Sequence, residues 1–268
     1  MPGVAEYVYT RMFINTRELG NFPDDLCPLG ASRVEIAGVP RVAVAYLWGG
    51  GEPTVLALHG WGAESTSMSP VVQAGLASGA STVCFDAPGH GVSPGSRATI
   101  TEYAEAAFGI LRRFPSIHTV VAHSLGSIPA ISAVAKSGVH NVRNILLLAP
   151  ACSLSGVLER WVAQRDLPGG LTKHISRGLE RRDRLPVSHW DIATLGLPAS
   201  VRVRILHDPT DERVPVSDSY QIAAAIRANV HEVRSGTGHD GILASDEMRA
   251  SLVECLQATA GAPGAVHG

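Results

Sequence analysis

The sequence predicts an α/β fold: a mostly parallel central sheet flanked by helices, with a small helical cap inserted before the last strands. Three observations carry this expectation. Short β-branched apolar runs alternate with longer amphipathic ones along most of the chain. The 268 residues can bury one continuous core without help from disulfides or metals. Between two strand-like runs, residues 151–200 offer only helical pieces, broken by Pro168-Gly169-Gly170 and Pro186.

The strand-like runs are Arg33–Ile36, Val42–Leu47, Thr54–Leu58, Thr82–Phe85, Thr119–Ala122, Val142–Leu148, Val201–Leu206 and Val230–Arg234. The first two, split by Ala37-Gly38-Val39-Pro40, read as an antiparallel hairpin at the sheet edge. Helical patterns follow at 68–78, 100–113, 125–137, 216–228 and 245–259, with Gly138 placed to end the third. Residues 1–30 form no clear unit and are expected as an N-terminal arm across the core. Residues 31–150 and 201–260 then make the core, 151–200 the cap or lid, and the small, polar 261–268 a flexible tail.

Composition excludes several classes. A formal net charge of −2, with no basic tract, leaves no footprint for nucleic acid. Lysine is confined to Lys136 and Lys173 while arginine is plentiful, and no function attaches to that. Cys27, Cys84, Cys152 and Cys255 are scattered without metal-ligand spacing, so no metal site is expected and a reducing compartment suits them. Cys84, inside an apolar run, is expected to be a buried thiol. The N-terminus lacks a secretory pattern, and no window reaches the ~18 apolar residues of a membrane span. A cytoplasmic protein with no membrane partner is expected.

The run Thr119–Ala122 passes through His123 into Ser124, and Leu125-Gly126 open a helix. A serine on so sharp a strand-to-helix turn is a nucleophile elbow, in which backbone strain lifts Oγ above the sheet. Strand and helix nearly touch there, so the positions two before and two after must be small. Gly126 satisfies this, and Ala122 stands where glycine is usual. Serine is also a preferred helix N-cap, so this segment alone leaves both readings open.

The loops around it add weight. Thr54–Leu58 ends in His59-Gly60-Trp61-Gly62, where glycines let a backbone N–H turn inward. The oxyanion of acyl transfer needs two such donors, and the candidates are the N–H groups of Trp61 and Leu125. The Trp61 ring can pack in a pocket wall at the same time. His59 and His123 are candidates for the substrate pocket. Next comes Phe85-Asp86-Ala87-Pro88-Gly89-His90-Gly91-Val92-Ser93, a strand followed by Asp-x-x-Gly-His-Gly-x-Ser. Here the sequence resembles the α/β-hydrolase family and its fold. The resemblance implies that Asp86 and His90 are scaffold rather than catalysts.

The run Val201–Leu206 leads into His207-Asp208-Pro209-Thr210-Asp211-Glu212-Arg213-Val214-Pro215. The family carries His-Gly-x-x-Asp-x-x-Val-Pro at this place, which implies Asp211 as the catalytic acid, with Asp208 in the glycine position. Asp208 and Glu212 are the competing carboxylates, Asp208 the nearer to the strand end. Of eleven histidines, His239 lies in the glycine loop Ser235-Gly236-Thr237-Gly238-His239-Asp240-Gly241 after the last strand. That gives the chain order Ser–Asp–His used by this fold. His207 is expected to support the pocket, and His118, His140, His231 and His267 to lie at the surface or at strand edges.

The resemblance spans about residues 33 to 258, is weakest in the cap, and is carboxylesterase-like. It implies a cofactor-free serine hydrolase acting on carboxylic esters of small-to-medium size. Alternatives remain open: a thioesterase or acyltransferase with an acyl-carrier protein as partner, a carbon–carbon bond hydrolase or cofactor-free haloperoxidase, and a non-catalytic binding protein. Residues 151–200 carry seven basic against five acidic side chains, which suits an anionic carrier or an ion-paired helix surface.

Overall fold

The computed structural model describes residues 3–16, 30–136, 141–234 and 236–260. Cys27, Gly138, His140, His267 and the expected tail 261–268 lie outside the described residues.

Eight strands are present: β1 (Ser32–Glu35), β2 (Val44–Trp48), β3 (Val55–Leu58), β4 (Thr82–Phe85), β5 (Thr119–His123), β6 (Asn144–Leu148), β7 (Arg202–His207) and β8 (Asn229–Glu232). They form one sheet in the order β1-β2-β4-β3-β5-β6-β7-β8. β2 runs antiparallel to both neighbours, and every other pairing is parallel. The expected edge hairpin is therefore β1–β2. Its connection contains Arg41 in the left-handed region (φ 59°), and β2 begins later than the apolar run does.

The central strands are buried at every position because both faces of the sheet are covered. Helices α1 (Val4–Phe13), α2 (Ser69–Ala77), α3 (Ile100–Arg113), α4 (Ser127–Ala135), α5 (Leu154–Ala163), α6 (Leu171–Asp183), α7 (Val216–Ile226), α8 (Gly238–Gly241) and α9 (Asp246–Ala260) supply the cover. On one face Leu56, Val120 and Leu147 meet Ile110 of α3 and Ile131 of α4. On the other, Val55, Val121 and Leu146 meet Val72 of α2 and Leu252 of α9. Alternate residues of each strand thus feed separate apolar layers.

Local chemistry fixes the helix ends. α3 begins at a capping box, in which the Thr99 hydroxyl accepts from Glu102 N–H and the Glu102 carboxylate accepts from Thr99 N–H. α5 is capped by Ser153, whose Oγ accepts from Gly156 N–H at 3.2 Å. α6 stops where Arg184 turns left-handed (φ 58°), two residues before Pro186.

Residues 151–200 carry α5, α6 and two short 3-10 turns, Val187–Trp190 and Ile192–Thr194. The chain leaves and rejoins the sheet at one point, where Ser153 and Asp191 pair as an isolated antiparallel bridge. Basic side chains of this excursion bind acids of the surrounding protein. Arg160 forks onto Asp218 at 3.0 and 3.2 Å, Arg182 reaches Glu102 at 3.2 Å, and Arg181 pairs with Glu6.

One expectation is overturned. The described part of the N-terminal segment is not without a unit: Val4–Phe13 is helical and packs on α6. A side chain at Gly178 of α6 would collide with Thr10, so glycine is what lets the two helices approach. Among the described residues no helix is long and apolar enough to cross a membrane.

Candidate active site

Ser124 follows β5 directly and has a φ of 55°. A non-glycine residue held there costs about 1–3 kcal/mol, which the surroundings must offset. A Cβ on Gly126 would lie 2.5 Å from the His59 carbonyl oxygen, so the turn closes only with glycine at that place. Gly60 approaches from the β3 loop, where an added Cβ would stand 3.0 Å from Ser124 Cβ. Ala151 N–H donates to the Ser124 carbonyl at 3.3 Å. On the strand side, Ala122 pairs with Leu58 and Leu147, and its methyl joins the α3–α4 apolar layer. The extra methyl is absorbed by the core.

His239 stands against this turn. Its Nε2 lies 2.9 Å from Ser124 Oγ, and its Nδ1–H donates to Asp211 Oδ2 at 2.6 Å. Both His239 and Asp211 are buried. The other Asp211 oxygen accepts the N–H groups of Arg213 and Val214 at 2.8 and 2.9 Å. Burial alone would raise this carboxyl, but hydrogen bonds from His207, His239 and Val214 outweigh it and hold it well below the usual carboxylate range. The geometry therefore presents a hydroxyl to an imidazole nitrogen whose ring is held on its other side by a carboxylate. That arrangement can activate the hydroxyl as a nucleophile.

Asp208, the competing carboxylate, does a different job. It is fully buried, and its Oδ1 accepts Thr210 N–H and Oγ1–H at 2.9 and 2.7 Å. Its Oδ2 accepts Gly238 N–H at 3.0 Å and Thr237 Oγ1–H at 3.2 Å. Burial opposes ionisation here too, and these donors lower the carboxyl regardless. Glu212 belongs to neither network; its side chain is exposed. His207, expected at the pocket, is buried and supports the acid loop instead. Its Nε2–H donates to Val214 O at 2.9 Å and lies 3.4 Å from Asp211 Oδ2, while Nδ1 accepts from Ser219 Oγ.

The two pocket candidates among the histidines are misplaced by the sequence reading. His59 is fully buried, donating Nδ1–H to Gly60 O at 2.7 Å and accepting Ala87 N–H on Nε2 at 3.0 Å. His123 is buried as well, donating Nε2–H to His239 O at 2.9 Å. His59 spends both nitrogens and His123 its Nε2 on backbone, and both rings are buried, so they brace the loops around the site rather than line a substrate pocket. Burial, then the nearby charge of His239, pushes His123 down to about 4. Asp86 and His90 sit in the same scaffold. Asp86 accepts Ser65 N–H at 2.7 Å and Val92 N–H at 3.0 Å, and burial pushes His90 down to about 3.

Trp61 lies on the loop that Gly60 carries to Ser124, with Gly62 at φ 76° releasing the turn. Its ring stacks on Phe13 at 6.4 Å and meets His90 edge-on at 4.9 Å. Beside it is a narrow, largely enclosed cavity. Leu125 and Trp61 form its floor, Phe13, Leu154, Leu179 and Trp190 much of the rest. These lining residues come from four separate segments, and the sequence reading named only Trp61 and Leu125. Large apolar positions in α1 and in residues 151–200 are the signal that could have found them, but which face turns inward is set by packing.

Among the described residues one group, His123, His239 and Asp240, has ligand atoms close enough for a metal ion. The ring nitrogens of His239 are committed to Ser124 and Asp211, and His123 Nε2 to a carbonyl, so this group does not fit one.

Comparison with known proteins places the chain. It is similar in structure to alpha/beta hydrolase domain-containing protein 10 from mouse, at 20% identity and a TM-score of 0.62 over 86% of this chain and 98% of that one. An esterase of Pyrococcus furiosus resembles it at 17% identity and a TM-score of 0.65, over 90% and 98% of the two chains. A monoacylglycerol lipase of Paleococcus ferrophilus does so at 18% and 0.57, over 80% and 98%. At these identities the likeness is one of fold. No curated protein matches the sequence. The family model described as the alpha/beta hydrolase family matches residues 55–254. That span runs from β3 into α9 and takes in each loop that meets at Ser124, so the chain belongs to the alpha/beta hydrolase family.

Proposed function

We propose that this protein is a serine hydrolase that cleaves carboxylic esters of small-to-medium size through an acyl-enzyme. The observation that carries the reading is the unbroken line of hydrogen bonds from Asp211 through His239 to Ser124, at 2.6 and 2.9 Å. In this reading Ser124 Oγ attacks the ester carbonyl carbon as His239 Nε2 takes its proton. Asp211 steadies the imidazolium and fixes its tautomer. The N–H groups of Leu125 and Trp61 receive the oxyanion. The ester C–O bond then breaks, with the His239 proton passing to the departing alkoxide. Water, deprotonated by His239, cleaves the acyl-enzyme and returns the free acid and the serine. No cofactor enters these steps.

Residues 151–200, together with α1, serve in this reading as the cap that shapes the acyl site. The cavity beside Leu125 is lined for the most part by apolar side chains, which suits an uncharged acyl group over a charged one. The rival acting on a carrier-bound thioester drew on the basic side chains of this segment. Three of the seven, Arg160, Arg181 and Arg182, are engaged by Asp218, Glu6 and Glu102, which weakens the case for a carrier.

The test is twofold. A fluorophosphonate should label the folded protein at Ser124, and a panel of nitrophenyl esters of rising acyl length should be turned over. Absence of labelling sinks the hydrolase reading. Acyl thioesters turned over well above matched oxygen esters would replace the esterase by the thioesterase.

A further inference from the structure

Helix α1 buries the polar Glu6 and Thr10 together with Phe13 and leaves an apolar stripe outside. Glu6 and Thr10 are buried against α6, Glu6 beneath Arg181 and Thr10 against Gly178. Outward, Val4, Tyr7, Val8 and Met12 are exposed at 82%, 56%, 42% and 40%. Their spacing of i, i+3, i+4 and i+8 covers an arc of about 140° on a helix that turns about 100° per residue. A surface helix ordinarily buries such a stripe. Left outside as a contiguous patch, it marks a contact surface. Among the described residues the other large exposed apolar side chains, Leu76 and Tyr220, stand singly on α2 and α7.

The charge around the stripe is positive. Arg11 falls inside the arc, its guanidinium 5.1 Å from the Tyr7 ring centroid. Arg177 lies one turn before Arg181 on the α6 face that meets α1, and Lys173 one turn before that. Arg177 and Lys173 are exposed and form no ion pair among the described residues. The acid of α1, Glu6, is covered.

We propose that the outer face of α1 is a docking site for an anionic lipid surface. A second copy of the chain is a poor occupant. A ten-residue helix is ~15 Å long and ~10 Å wide, a footprint of ~150 Å² against the ~800 Å² per partner of a stable dimer. Pairing two copies would also bring their basic rims together. A lipid surface needs no matched partner face: apolar side chains enter the acyl boundary while the basic rim meets the phosphates. Phe13, on the inner side of the same helix, is a wall of the cavity beside Leu125 and stacks on Trp61. Docking therefore draws on the helix that closes the cavity. Taken with the hydrolase reading, which it rests on for this point alone, docking makes lipid-borne esters the substrate class.

The test is co-sedimentation of the full chain with vesicles of phosphatidylcholine alone or mixed equally with phosphatidylglycerol. Binding to the mixed vesicles and much weaker binding to phosphatidylcholine is expected. Val8→Asp should weaken the former by ~10-fold or more, as loss of a buried valine side chain implies, with an unchanged melting temperature. Arg177→Glu combined with Lys173→Glu should erase the difference between the two vesicles. Failure to bind mixed vesicles, or unaltered binding by Val8→Asp, overturns the proposal. So does a dimer in sedimentation velocity that Val8→Asp converts to monomer, which would give the face to a second copy. Sedimentation reads docking without turnover, so its failure is distinct from failure of Ser124 to label.

Discussion

Asp208 Oδ2 accepts the backbone N–H of Gly238 at 3.0 Å and so ties the loop bearing Asp211 to the loop bearing His239. Removing the carboxylate takes the acceptor from the part-buried Gly238 N–H and Thr210 N–H, at about 1–2 kcal/mol for lost hydrogen bonds to a charged group. Asp208→Ala should lower the urea midpoint accordingly. It should also reduce kcat by roughly 10-fold or more through a displaced imidazole, leaving KM for a nitrophenyl ester nearly unmoved. Wild-type kcat in that variant would show the tie to be idle.

The proposed chemistry makes a steeper demand on the three residues in line. Ser124→Ala and His239→Ala should each lower kcat by about three to six orders of magnitude with far-ultraviolet circular dichroism intact. Asp211→Asn should cost more than Asp208→Asn, because only Asp211 meets the imidazole. The reverse order would reassign the acid.

The tight crossing under the serine turn is tested by size alone. Gly126→Ala puts a methyl 2.5 Å from the His59 carbonyl oxygen and should destabilise by roughly 2 kcal/mol or more. Labelling of Ser124 should slow with it. Ala122→Gly, at a strand position the core already fills, should cost only about 1 kcal/mol. Equal urea midpoints for the two variants would remove the steric account.

Two buried imidazoles predict the acid limb of the stability curve. His90 is lowered to about 3 and His123 to about 4, from 6.5, burial being the leading cause in each. Their folded values lie below the unfolded one, so below about pH 6.5 the unfolded chain binds more protons and stability falls as pH falls. The loss accumulates from about pH 6.5 down to the folded values and amounts to several kcal/mol in order of magnitude. Urea midpoints measured from about pH 7 to about pH 5 should decline, and His123→Gln should flatten the slope. A flat wild-type profile would count against neutral buried imidazoles.

The elements most legible in the sequence were those whose signals are local. Thr82–Phe85 is a strand and 100–113 a helix as expected, because an apolar β-branched run and an amphipathic helical pattern need no distant partner to be read. The order of Ser124, Asp211 and His239 along the chain likewise anticipates their contact, since each follows a strand of one parallel sheet. α1 was not legible. Its apolar stripe would predict a buried outer face, and its actual seat depends on Gly178, more than 160 residues away in sequence. His59 and His123 were misjudged for a related reason. Their neighbours in sequence are site residues, but their rings turn back to bind carbonyls and amides that only the folded chain brings near. Asp208 in the glycine place looked like a defect until Thr237 and Gly238 arrived from the far loop.

The bridge between Ser153 and Asp191 makes the helical excursion a graft on a single stalk. Seen from the sheet, everything between Ser153 and Asp191 counts as one short connection between β6 and β7. Its contents can therefore diverge or be exchanged between relatives without re-registering a strand. A transplanted excursion would have to keep a partner for α1, since that helix packs chiefly on α6 of the graft while its Phe13 stacks on Trp61 of the trunk.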